Sequence, residues 1–235
     1  MDKTIHAPAV AVSQIPDGAT LMIGGFGGAG APIELIHALI DHGAKDLTVI
    51  NNNAGNGHVG LAALIEQKQV RKLICSFPRS ADPVVFTEAY QAGEIELELV
   101  PQGTLAERIR AGGAGVPAFY TPTAYGTKLA EGKPQEEFEG RMYIRERWLK
   151  ADFALIKGEL GDPHGNLTYR MASRNFNPLM AMAATTTFAQ VSRVVPLGGI
   201  DPEHVVTPGI FVSNVIEVAD PAQEEELNRA KVVYP

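Results

Sequence analysis

The stretch that most constrains this chain is residues 17–32, Asp-Gly-Ala-Thr-Leu-Met-Ile-Gly-Gly-Phe-Gly-Gly-Ala-Gly-Ala-Pro. Asp17-Gly18 is a turn dipeptide. Residues 21–23 form a short apolar run, as expected of a strand buried on both faces. Pro32 suits a first helical position, where a missing N–H costs nothing. The amphipathic run 33–40 follows, and Gly43 is a natural helix stop. Strand, glycine bend and helix in this order place the bend where open α/β sheets hold their ligands.

Glycines lacking a Cβ accept positive φ and let another molecule approach the main chain. Free N–H groups before a helix attract anions or a developing oxyanion. Residues 25–30 also match the Gly-x-Gly-x-x-Gly dinucleotide pattern. That pattern needs an acidic residue at the end of the second strand to hold a ribose. Here the second strand, 47–50, ends in Asn51-Asn52-Asn53, and Asp46 stands at its wrong end. A bend that merely lets a helix pack closely is the plain alternative.

The first half alternates strands and helices. Further strands are expected at 73–76 and 95–100, the latter half exposed near an edge because glutamates alternate with apolar residues. Helices are expected at 61–67, at 83–92 with Asp82 as cap, and from Thr104, where Glu107 completes a capping-box pattern. Gly112-Gly113 would end the last. Such alternation predicts an α/β fold: an open, mostly parallel sheet with helices on both faces. The second half adds an irregular, β-rich elaboration. It holds a long ordered loop over 112–127, a hairpin at 138–144, strands at 153–156, 186–191 and 210–218, a turn at 162–166 and a helix at 177–184. The tail from Ala219 reads as a last helix or a frayed end. Residues before Gln14 read as a lead-in helix or edge element. No internal repeat is evident, and residues 1–235 read as a single domain.

With 45% hydrophobic and 20% charged residues the chain reads as an ordinary soluble protein. A net charge of -7 without a basic cluster argues against a nucleic-acid surface. No apolar run is long enough to span a membrane, and no signal pattern opens the chain, so a cytoplasmic location is expected. The one cysteine, Cys75, sits in an apolar strand and reads as an inert core thiol. His-Glu-x-x-His and Cys-x-x-Cys are absent, so no metal site is expected. His58 lies in a polar loop and reads as solvated.

Four strand ends carry unusual residues: 24–30, 51–57, 76–79 and 101–103. In a parallel sheet these ends share one rim. Amide side chains there orient a carbonyl without ionising. No nucleophile stands out, so the chain reads as equipped to hold a ligand and not to attack one.

Longer blocks carry a resemblance. Residues 17–32 resemble the signature of the first, A-type component of the family I coenzyme A transferases. Asn52-Asn53-Ala54-Gly55, residues 101–108, residues 112–119 and Arg174-Asn175-Phe176-Asn177 match further blocks of that family. Asn56-Gly57, residues 75–79, residues 165–170 and residues 207–212 are most similar to the branch whose acceptor is 3-oxoadipate. The acetoacetate-using branch is similar and stands as the alternative. The resemblance implies a CoA thioester, succinyl-CoA, as co-substrate, a 3-oxo acid as acceptor and no tightly bound cofactor. It also implies a partner, the B subunit of the transferase. The nucleophilic glutamate would come from that B subunit, in a Glu-Asn-Gly setting this chain lacks. By the same resemblance Gly24, Gly25, Phe26, Gly27, Gly28, Ala29 and Gly30 would border CoA. Asn52, Asn53 and Gln102 would line the active site. Arg79, a lone arginine after a strand end, is expected to meet the distal carboxylate of a dicarboxylic acid.

Overall fold

The computed structural model describes residues 2–224. Eight strands form one sheet: β1 (Thr4–Ile5), β2 (Thr20–Ile23), β3 (Leu47–Ile50), β4 (Val70–Cys75), β5 (Glu96–Leu99), β9 (Ala151–Gly161), β10 (Ala184–Val194) and β11 (Asn214–Glu217). Their order is β1-β11-β10-β9-β2-β3-β4-β5, and every pairing is parallel. The chain winds one way from β2 to β5 and the other way from β9 to β11. The reversal falls between β2 and β9, directly behind the glycine bend. Open parallel sheets place their ligand crevice at such a reversal.

The apolar strands work on both faces because successive side chains alternate. Leu21, Ile23, Val49, Leu73, Cys75 and Leu155 pack under four helices: α1 (Pro8–Val12), α2 (Ile33–His42), α3 (Leu61–Glu66) and α4 (Val84–Gln91). Met22, Ile50, Ile74, Ala154 and Ile156 pack under α5 (Gln102–Ala114) and α6 (Asn177–Ala183). Helices therefore cover both faces, as the alternation implied. Gly43 ends α2 in the left-handed conformation with its N–H on Leu39 O, 3.1 Å. Cys75 is fully buried, and burial pushes its thiol up to about 12.

Several local expectations need correction. Pro32 precedes α2 instead of opening it, because Ile33 N–H still donates to Ala31 O (3.0 Å) within the bend. Asp82 does not cap α4. Its backbone N–H donates to Asn56 Oδ1 (2.6 Å), tying this loop to the asparagine loop. Thr104 lies inside α5, which starts at Gln102, and its hydroxyl is buried with no partner among the described residues. Glu107 pairs with Arg110 (2.8 Å) instead of closing a capping box. Gly112-Gly113 do not end α5 either. A Cβ on Gly112 would stand 1.9 Å from Leu149 O and one on Gly113 2.7 Å from Met182 Cβ, so Gly112 lets the helix touch the chain entering β9 and Gly113 lets it touch α6. Gly115, left-handed, is the actual stop.

The long loop expected over 112–127 is instead the end of α5 and a strand, β6 (Ala118–Thr121). With β7 (Gln135–Phe138) and β8 (Arg141–Arg147) it forms a separate antiparallel sheet, order β6-β8-β7, which contains the expected hairpin. The final strand is shorter than expected. A 3₁₀ turn at Gly209–Phe211 precedes β11. The part of the expected tail helix beyond residue 224 lies outside the described residues. Among the described residues no helix is long and apolar enough to cross a membrane.

Candidate active site

The four unusual strand ends meet at one rim, held by their own amides. Asn51 (3% exposed) donates through Nδ2 to Ile23 O (2.7 Å), and its Oδ1 accepts from Asn53 N–H (2.8 Å). Asn53 accepts from Gly55 N–H (2.8 Å) and donates to Gly27 O (3.5 Å). Its side chain therefore ties the second loop to the first and does not point away from the protein.

Asn52 is different. Its carboxamide oxygen accepts two hydrogen bonds, from Ser76 Oγ (2.6 Å) and from Gln102 Nε2 (2.9 Å). Ser76 lies after β4 and Gln102 opens α5, so three strand ends converge on one side-chain oxygen. A carboxamide can be placed either way round unless its neighbours decide. With Oδ1 turned toward Ser76 and Gln102, the N–H₂ end is left as the free donor. Gln102 thus reaches Asn52 first, where the sequence suggested it would line the site directly. Arg79 and Phe77 of the same loop are exposed, and Arg79 has no ion-pair partner among the described residues. His58 is exposed and pairs with Glu66 (3.0 Å). No cluster able to hold a metal ion occurs among the described residues.

Two loops share one backbone plan, which the sequence reading missed as a repeat. Gly25-x-Gly27-x-x-Gly30 and Gly55-x-Gly57-x-x-Gly60 each have positive φ at all three glycines. Each closes on an antiparallel bridge, Phe26 with Ala29 and Asn56 with Val59. Glycine is required because side-chain-bearing residues seldom adopt these angles. The signal was the spacing itself, hidden because the intervening residues differ in size and polarity.

The first loop is also held from the far side of the reversal. Asn177, wholly buried at the start of α6, donates to Gly30 O (3.0 Å) and accepts from Lys157 N–H (3.1 Å). A Cβ on Gly24 would lie 1.8 Å from its Oδ1. Asn175 donates to Ala29 O (2.9 Å). Asn175 and Asn177 therefore act as a bracket under the glycine bend, a role visible only once β9 and α6 are in place.

A model of the coenzyme A transferase family matches residues 5–218 of this chain. The chain belongs to the coenzyme A transferase family. Within it, the A subunit of the 3-oxoadipate CoA-transferase of Pseudomonas putida is 61% identical over 222 residues, covering 94% of this chain and 96% of the relative. The A subunit of a probable succinyl-CoA:3-ketoacid coenzyme A transferase of Bacillus subtilis is 46% identical over 232 residues, covering 99% and 96%. Among solved structures, an acyl-CoA transferase of Escherichia coli O157:H7, in a thioester complex with CoA, superposes with a TM-score of 0.80 at 21% identity. That match covers 94% of this chain but 48% of the Escherichia coli chain, so this chain spans about half the length of that transferase. The rim of amides offers N–H donors and no charge, a combination suited to orienting a carbonyl.

Proposed function

We propose that this chain is the A subunit of a CoA-transferase that moves CoA from succinyl-CoA to 3-oxoadipate, giving succinate and 3-oxoadipyl-CoA. The reaction belongs to aromatic-compound breakdown through 3-oxoadipate (β-ketoadipate), and we place it in the cytoplasm. The observation that carries the reading is the 61% identity to a 3-oxoadipate enzyme component along nearly its whole length, against 46% to the 3-ketoacid relative. The acetoacetate-type transferase is the second reading.

In this reading the chain, acting as one domain, supplies a cradle and a B subunit supplies a glutamate. That carboxylate attacks the thioester carbonyl, and CoA leaves as its thiolate. The thiolate then attacks the glutamyl carbonyl of the resulting anhydride, releasing succinate and leaving a glutamyl-CoA thioester. The acceptor acid runs the steps in reverse. The N–H₂ of Asn52 donates to the carbonyl oxygen as negative charge builds on it. The bend from Gly24 to Gly30 borders the CoA thioester. Arg79 meets the distal carboxylate of 3-oxoadipate.

The test is to co-express the chain with a companion protein carrying Glu-Asn-Gly and to follow CoA transfer from succinyl-CoA. The complex should use 3-oxoadipate in preference to acetoacetate, and the isolated chain should not turn over. Arg79→Met should lower activity with 3-oxoadipate and spare acetoacetate. Sustained exchange by the isolated chain would overturn the division of labour. A complex silent with every acid offered would favour a ligand-binding protein on the same fold.

A further inference from the structure

Beside the amide rim, on the other side of the glycine bend, lies a cavity of about 730 Å³. It sits at the reversal of the sheet, between Gly28–Gly30 and the ends of β9 and β10. Lys157 and Gln190 line it and are direct partners in the register of those two strands. Gln190 is buried, and its Oε1 accepts from Leu35 N–H (3.3 Å), which leaves its N–H₂ to the cavity. Neither Gly28 nor Gly30 has its N–H bonded to backbone among the described residues. Donors therefore converge from two strands and one loop.

One group answers them. Glu224, on the last segment described, places both carboxylate oxygens on Lys157 Nζ. Both side chains are largely buried, 16% exposed for Lys157 and 23% for Glu224. The segment is anchored a second time, where Gln223 and Glu224 N–H donate to Glu34 Oε1 at the start of α2 (2.8 and 3.2 Å). With the segment docked, the lining holds Lys157 and Arg170 against Glu159 and Glu224 and is formally neutral. Without Glu224 it is net positive.

We propose that Lys157, Gln190 and the N–H groups of Gly28 and Gly30 form an oxyanion subsite, and that Glu224 of the chain's own tail occupies it until a ligand oxyanion displaces it. A carboxylate held by two oxygens on one ammonium, beside a free amide donor, is the stand-in for such a ligand. The identity of the ligand rests on the transferase reading and has two sources: a phosphate of CoA, or the carboxylate of a substrate acid. Either way the tail is a competitor, and apparent affinity falls by the fraction of chains in which it is docked.

Calorimetry on the full-length chain tests this by binding, separately from turnover. CoA, 3′-dephospho-CoA and succinate are titrated into wild type, Glu224→Gln and Lys157→Met. Glu224→Gln should bind the responding ligand about fivefold tighter, because its neutral tail no longer competes. Lys157→Met should weaken binding about tenfold or more, with Lys157→Gln as a second variant should the first unfold. A gain for CoA that shrinks with 3′-dephospho-CoA identifies the 3′-phosphate as the source. A gain held by both CoA forms identifies the diphosphate, and a gain for succinate identifies the acid. Equal binding to wild type and Glu224→Gln, unweakened binding to the Lys157 variants, or no binding of any ligand overturns the proposal, whether or not the assembled enzyme transfers CoA.

Discussion

The double grip on Asn52 makes a quantitative prediction. Ser76→Ala removes the 2.6 Å donor and Gln102→Leu removes the 2.9 Å donor. After either change Oδ1 keeps one partner, so no buried acceptor is stranded. Each single variant should cost about 1 kcal/mol, the net worth of a neutral hydrogen bond, or roughly fivefold in kcat/KM. The double variant is different in kind. Nothing then prevents the carboxamide from rotating by half a turn and presenting oxygen where the N–H₂ stood. The expected loss is about 10²-fold or more, comparable to deleting one oxyanion donor. The product of the singles is only about 25-fold, so the cycle should show coupling of about 1 kcal/mol in kcat/KM. The assay is steady-state CoA transfer by the assembled enzyme, with melting temperatures measured on the same samples. Ser76→Thr keeps a hydroxyl and should recover most of the activity. The reasoning is refuted if the double loss equals the product of the singles, or if Asn52→Ala leaves activity intact.

Other outcomes follow from packing and charge. Gly112→Ala should destabilise by about 2 kcal/mol through overpacking against Leu149 O, lowering the melting temperature by about 5 °C. Gly103→Ala, in the same helix with open space around its Cβ, should stabilise by up to about 1 kcal/mol. Shifts of equal size and sign would sink the close-contact explanation. Burial alone would raise the Glu98 carboxyl, but hydrogen bonds from Arg108 and Lys72 hold it below the ordinary 4.5. A depressed carboxylate stabilises the fold above its unfolded value and loses that contribution as pH falls below about 4.5. Glu98→Gln should therefore lose stability at pH 7 and little at pH 3, read from thermal melts at both.

Much of this molecule was legible because the informative signals are local. Gly43 after an amphipathic run announces a helix end from its own chemistry, and the apolar runs at β2, β3 and β4 announce buried strands. Convergence of the amides also followed from local patterns, since parallel strands bring their ends to one rim. The failures share a cause. Gly112-Gly113 read as a stop because glycine breaks helices in isolation, whereas here a distant backbone at Leu149 requires it. Thr104 and Glu107 have the spacing of a cap, yet the helix had already begun at Gln102. Lys157 and Gln190 were invisible as a pair. They are 33 residues apart in sequence and become neighbours only through the register of β9 and β10. Gly158 and Gly161 lie in the part of β9 beyond the expected end at 156, where they allow Thr168 and Val215 to approach it.

The pairing of β1 with β11 carries a consequence for synthesis. Residues 4–5, made well before the rest of the sheet, have their only sheet neighbour among the described residues at residues 215–216. Strands β2 to β5 lie within the first hundred residues and can associate early, but their inner edge at β2 waits for β9. Contacts so far apart in sequence are slow to form and leave unpaired edges exposed meanwhile. Strand β1, made before the other described strands, is thus the one that must wait longest for its place. A nascent chain arrested before residue 214 would carry a loose N-terminal strand and one open flank of the sheet.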